Sequence, residues 1–109
     1  MSTVSTHVLD AGLGRPAQGV PVRLSRVSAD EIVVLTEGTT DADGRITEFQ
    51  PGLEPGTYQL RFDVADYAAA SSQSMFFPEV TVTFAITDER HHHVPLLLSP
   101  FAYSTYRGS

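Results

Sequence analysis

The chain contains no cysteine, which removes disulfides, thiolate nucleophiles and cysteine-ligated metals from consideration. Lysine is absent as well. All seven basic side chains are arginine, so Schiff-base and Walker-lysine chemistry are excluded. Positive charge is scarce overall: seven Arg against thirteen Asp and Glu leave a formal net charge of -6. That balance argues against a nucleic-acid partner, because phosphate binding relies on clustered cations. Long apolar runs are also missing. The longest, Val94 to Leu98, is far too short to cross a bilayer. The start, Met1 to Asp10, lacks the basic and apolar regions of a signal peptide. These absences predict a soluble, cytoplasmic protein with no membrane partner.

What is present suits one small domain spanning residues 1–109. Hydrophobic content of 41% is ordinary for a folded chain. A globule of this size buries roughly 60–65% of its extended-chain surface, enough for one core. A site needing several walls would have to be shared between subunits. Glycine and proline clusters cut the sequence into short pieces. Val20 to Val27 alternates as a half-buried strand, with Val20, Val22 and Leu24 on one face. Further strands are predicted at Glu31 to Thr39, Arg45 to Phe49, Thr57 to Asp63, Val80 to Ile86, His92 to Leu98 and Ala102 to Arg107. Asp10 to Gly19 reads as a loop, and Asp63 to Ser72 is the one helix candidate, with Asp63 able to cap it. Short strands at this spacing predict an all-β sandwich and not a parallel sheet with crossover helices.

The segment His91-His92-His93-Val94-Pro95-Leu96-Leu97-Leu98 is the most informative. Side chains alternate along a strand, so His92, Val94, Leu96 and Leu98 share one face and His91, His93, Pro95 and Leu97 the other. The first set reads as core and the second as an outer face. Three readings of the histidines compete: a metal site, surface imidazoles ahead of a core strand, or an acid–base histidine in a cleft. Only His91 and His93 point the same way and no nearby carboxylate completes a ligand set, so no metal is expected. Asp41-Ala42-Asp43-Gly44 hints at a calcium loop, but its twelfth position is Gly52 where an acidic residue is needed, and turn chemistry explains it better. Taken alone, Arg45 would be a solvated strand-end cation and His7 a strand residue.

Three separated motifs combine. Thr6-His7-Val8-Leu9-Asp10, Thr40-Asp41-Ala42-Asp43-Gly44-Arg45 and the stretch from His93 through Tyr106-Arg107-Gly108-Ser109 resemble, in order, the signatures of the 5-hydroxyisourate hydrolases of the transthyretin-like family. The resemblance covers the chain from position 6 to the last residue. One departure is visible: members commonly carry an aromatic residue where this chain has His92, which by alternation faces inward and needs a hydrogen-bond partner there.

The resemblance implies a transthyretin-like β-sandwich of two four-stranded sheets with one short helix, assembled as a homotetramer. It implies hydrolysis of the small molecule 5-hydroxyisourate, a step of urate breakdown, to 2-oxo-4-hydroxy-4-carboxy-5-ureidoimidazoline, with no cofactor. The matching catalytic positions are His7, Arg45, His93 and Ser109, and those for substrate binding are His7, Arg45, Tyr106, Arg107 and Gly108. Either His7 or His93 would take the water proton. The alternative from another class is a carrier of small aromatic ligands on the same fold, since function lives in the site and not the fold.

Overall fold

The structure, a computed structural model, describes residues 2–108. Two sheets face each other. One contains β1 (Val4–Asp10), β2 (Arg15–Pro16), β5 (Arg45–Ile46), β8 (His92–Leu98) and β9 (Tyr103–Thr105). The other is ordered β4-β3-β6-β7, from β3 (Pro21–Val27), β4 (Ile32–Thr39), β6 (Gly56–Asp63) and β7 (Glu79–Ile86). The expected sandwich is therefore observed, with a fifth strand in one sheet because the two-residue β5 pairs with β1.

Strand alternation explains the core. Val22 and Leu24 of β3 lie opposite Phe62 and Leu60 of β6, and all four are buried. Val4, Val8, Val94, Leu96 and Leu98 meet them from the facing sheet. The third predicted strand, Arg45 to Phe49, stops at Ile46. Ile46 and Phe49 both pack against the core. Three residues apart on a strand they would face opposite ways, so the chain has to leave strand geometry between them. The predicted loop from Asp10 to Gly19 does contain a short pairing, Leu9 and Asp10 opposite Pro16 and Arg15.

Helix α1 (Val64–Ala70) begins at the predicted cap, where the Asp63 carboxylate accepts from the Asp66 N–H at 3.1 Å. A buried polar cluster ties it to the end of β1. Asp10 Oδ2 accepts from the Tyr67 hydroxyl at 2.6 Å and from Gln73 Nε2 at 2.9 Å, and Oδ1 accepts from the Leu13 N–H. Burial alone would push the Asp10 carboxyl up, but these hydrogen bonds together outweigh it and hold the group below the usual carboxylate range.

Both edges of β1 are occupied. One runs parallel to β8, placing Ser5 beside His93 and His7 beside Pro95. The other is shared: β5 takes Thr6 and His7, and β2 takes Leu9 and Asp10. Residues from near the start, the middle and the end of the chain thus meet on one sheet.

Candidate active site

The site is built on the outer face of the five-stranded sheet. His7 pairs with Arg45 across the β1–β5 ladder, and partners in register project to the same side. Ser5 pairs with His93 on the other edge of β1. The turn before Arg45 is fixed by its own side chains. Asp41 Oδ1 accepts from the N–H groups of Asp43 and Arg45 at 2.9 and 3.0 Å, and Gly44 has φ 75°. A Cβ at Gly44 would stand 2.3 Å from the Val8 carbonyl oxygen, so glycine is required for the turn to dock on β1.

That turn also orients His7. Its Nε2 lies 2.9 Å from the carbonyl oxygen of Asp43. A carbonyl can only accept, so Nε2 carries the hydrogen and the neutral ring has its lone pair on Nδ1. His93 is held from the opposite ring atom, with Nδ1 2.6 Å from Ser5 Oγ. Ser5 Oγ is also 2.7 Å from His91 Nε2, and His91 Nδ1 meets the Thr3 hydroxyl.

Ser5, Thr6, Arg45, Thr47, His91 and His93 line a hollow of about 240 Å³. A larger one of about 450 Å³, by Arg15, Gln18, Tyr67 and Ser71, contains no histidine or carboxylate, so volume alone does not mark the site. No carboxylate among the described residues pairs with the Arg45 guanidinium. His93 is pushed below the ordinary imidazole value, first by burial and then by the charges of His7, His91 and Arg45. The arrangement presents a neutral imidazole and a guanidinium to one small volume, with a second imidazole of fixed tautomer, His7, beside Arg45 on the same sheet face. No group of three or more His, Cys, Asp or Glu among the described residues is placed to hold a metal ion.

The chain end closes over His93. The Gly108 N–H donates to the His93 carbonyl at 2.8 Å, and a Cβ at Gly108 would lie 2.5 Å from His93 Cδ2. Only glycine fits against that ring. Tyr106 and Arg107 line an adjoining apolar recess with His92, His93, Val82 and Phe84, and the Tyr106 side chain is exposed. Ser109 lies outside the described residues. The structure therefore brings together His7, Arg45, His93 and Gly108, and sets Tyr106 and Arg107 in an adjoining recess that shares His93.

Comparison with known proteins bears on the same residues. The model of the HIUase/Transthyretin family matches residues 4–108. The chain belongs to that family. Among its members, the 5-hydroxyisourate hydrolase of Mus musculus is 47% identical, over 99% of this chain and 96% of its own length. The solved structure of Klebsiella pneumoniae 5-hydroxyisourate hydrolase superposes with a TM-score of 0.89 and 40% identity, covering 100% of both chains. Sea bream transthyretin, solved in complex with thyroxine, gives a TM-score of 0.88 at 32% identity, over 96% of this chain and 93% of its own. Both classes weighed from the sequence thus occur on this family's fold.

Two site residues escaped sequence reasoning. Ser5 lies outside the motif that begins at Thr6, and His91 reads as a bystander ahead of His93. The alternation of Thr3, Ser5 and His7 leading into and along β1 was the available signal. It is silent without the knowledge that β1 pairs with β8.

Proposed function

We propose that the chain hydrolyses 5-hydroxyisourate to 2-oxo-4-hydroxy-4-carboxy-5-ureidoimidazoline, a step in urate degradation. The observation that carries this reading is the convergence of His7, Arg45 and His93 on one outer sheet face, from three strands that the sequence keeps far apart. The relatives that span the full chain carry the same activity in their names. The reaction needs a base for water, positive charge where the oxyanion develops and a proton for the departing nitrogen.

The geometry suggests the division of labour. His93 is neutral near pH 7, and its Nε2, with no hydrogen bond among the described residues, takes the water proton as the water oxygen bonds to the ring carbonyl carbon. Arg45 faces the oxyanion with its fork of donors. The carbonyl re-forms as the ring C–N bond breaks, and the departing nitrogen receives a proton from an imidazole. His7, held by Asp43 through Nε2–H, orients substrate or water through Nδ1. Gly108 packs on His93 at the edge of the site, Ser109 supplies a hydroxyl to the hydrogen-bond relay, and Tyr106 and Arg107 complete the border from a neighbouring subunit or on substrate binding.

The chain works as a single domain in a homotetramer in the cytoplasm. Support for assembly comes from the outer face itself: Leu9 and Leu97 lie in register there and remain half-buried in the isolated chain. No helix among the described residues is long and apolar enough to cross a membrane.

The test is the decay of freshly made 5-hydroxyisourate followed by absorbance, with its spontaneous decay as control. The wild-type chain should accelerate it. His7→Asn, Arg45→Gln and His93→Asn should each lower turnover about 100- to 10,000-fold with the fold intact. Wild-type chain without effect on the decay, yet binding small aromatic ligands, would replace the hydrolase by the carrier.

A further inference from the structure

We infer that Ser5 and His91 are positioning residues for His93, forming a hydrogen-bonded line that lets one ring nitrogen act first as base and then as acid. The inference rests on the hydrolase reading of the site. Four groups stand in a row: His93 Nδ1, Ser5 Oγ, His91 Nε2 with Nδ1 beyond it, and Thr3 Oγ1. A hydroxyl has one hydrogen to donate, and a neutral imidazole has one N–H. Ser5 can therefore donate to only one of its two histidines and must accept from the other. The tautomers of His91 and His93 are coupled as a result.

Only two ordered arrangements exist. In the first, His93 Nδ1–H donates to Ser5, Ser5 donates to His91 Nε2, and His91 Nδ1–H donates to Thr3. His93 Nε2 then carries a lone pair and can act as base. In the second, every donor and acceptor is reversed, and His93 Nε2 carries a hydrogen that it can give away.

The line also offers the charge a better place. When His93 Nε2 takes the water proton, the ring becomes a cation in a half-buried position beside Arg45. Passing Nδ1–H to Ser5, while Ser5 passes its own hydrogen to His91 Nε2, moves the positive charge to His91. His91 is exposed, where water solvates a cation at far lower cost. His93 is left neutral with a hydrogen on Nε2, aimed at the departing nitrogen. Donation from Nε2 draws the protons back along the same line, and His93 returns to its starting tautomer. No proton is created or lost. Ser5 is buried and fixed by strand pairing with His93, so the line persists without substrate.

The test uses the full chain with Ser5→Ala and His91→Ala. His91→Ala should lower kcat about 10- to 100-fold, less than loss of a direct acid–base group, with KM changed less than twofold. Added imidazole should restore its kcat in a saturable way, because the lost ring sat at an exposed position. Ser5→Ala should fall comparably and should not respond to imidazole, since the link itself is missing. Without substrate, the ¹⁵N shift of His93 Nδ1 should move in both variants. Full kcat in His91→Ala, or a loss that imidazole leaves untouched, overturns the relay. If the wild-type chain fails to accelerate 5-hydroxyisourate decay, the hydrolase reading fails instead, and the two failures are told apart.

Discussion

At the residue scale, the state of His93 follows from where it sits. Burial disfavours the imidazolium, and three cationic or titrating neighbours, His7, His91 and Arg45, add to that. Its folded value lies below 6.5, so the unfolded chain binds more protons just below that pH. The stability it contributes is complete above the unfolded value and is lost as pH falls through the folded one. Arg45→Gln removes one of the repelling charges, so His93 should titrate closer to 6.5 in that variant. Proton NMR of the ring Cε1–H checks this, and a shift in the opposite direction would exclude Arg45 as a cause.

His92 is a residue out of keeping with its surroundings. It is 3% exposed, and neither ring nitrogen has a hydrogen-bond partner among the described residues. Asp88 Oδ1, at 3.7 Å from Nε2, is beyond hydrogen-bonding distance. Leaving buried polar atoms unpaired costs roughly 1–3 kcal/mol. His92→Phe keeps a ring in the core and removes those atoms. Thermal unfolding at fixed protein concentration should show it more stable by about 1 kcal/mol, with turnover little changed. A lower melting temperature would mean that the imidazole is in use.

At the scale of elements, strand alternation in the sequence was enough to orient most side chains. Tyr58, Leu60 and Phe62 point inward, His92 and Val94 do too, and His93 faces out, all as the period of two requires. The helix and its Asp63 cap were legible for an equally local reason. Which strands neighbour each other was not, because pairing is a property of distant segments. That gap hid the parallel contact of β1 with β8, and with it the roles of Ser5 and His91. The Asp10–Tyr67–Gln73 cluster was hidden in the same way, since its members are up to 63 positions apart.

That cluster anchors α1 to the sheet and yields a prediction of its own. The Asp10 carboxyl is depressed below the usual range, so its contribution is present above the unfolded value of about 3.8 and disappears as pH falls through the folded value. Asp10→Asn should cost about 1–3 kcal/mol near pH 7. It should also flatten the acid side of the curve of melting temperature against pH. A variant as stable as wild type at neutral pH would show that the carboxylate is dispensable.

At the scale of the whole molecule, the outer face of the five-stranded sheet carries the candidate site beside the surface we propose for assembly. His7 and His93 share it with Leu9 and Leu97. Leu97→Glu places a charge on the surface we assign to subunit contact, where an unpaired buried charge costs several kcal/mol by order of magnitude. Size-exclusion chromatography should then show species smaller than four times 11.8 kDa, with reduced activity. An active wild-type monomer at assay concentration would separate the site from assembly.

The parallel seam between β1 and β8 has a consequence in time. Ser5 and His93 are separated by 88 positions. At a synthesis rate of about 5–20 residues per second, β1 waits roughly 4–18 s after it is made before its parallel partner exists at all. During that interval its valines and the backbone along that edge stay uncovered, a state open to chaperones and to other nascent chains. Closure must then bring β1 and β8 together across the intervening chain, which is slow for contacts so distant in sequence. The seam is also where His93 meets Ser5, so the contact on which the proposed relay depends forms only when β8 docks on β1. Regain of activity after dilution from denaturant should therefore come no earlier than that docking.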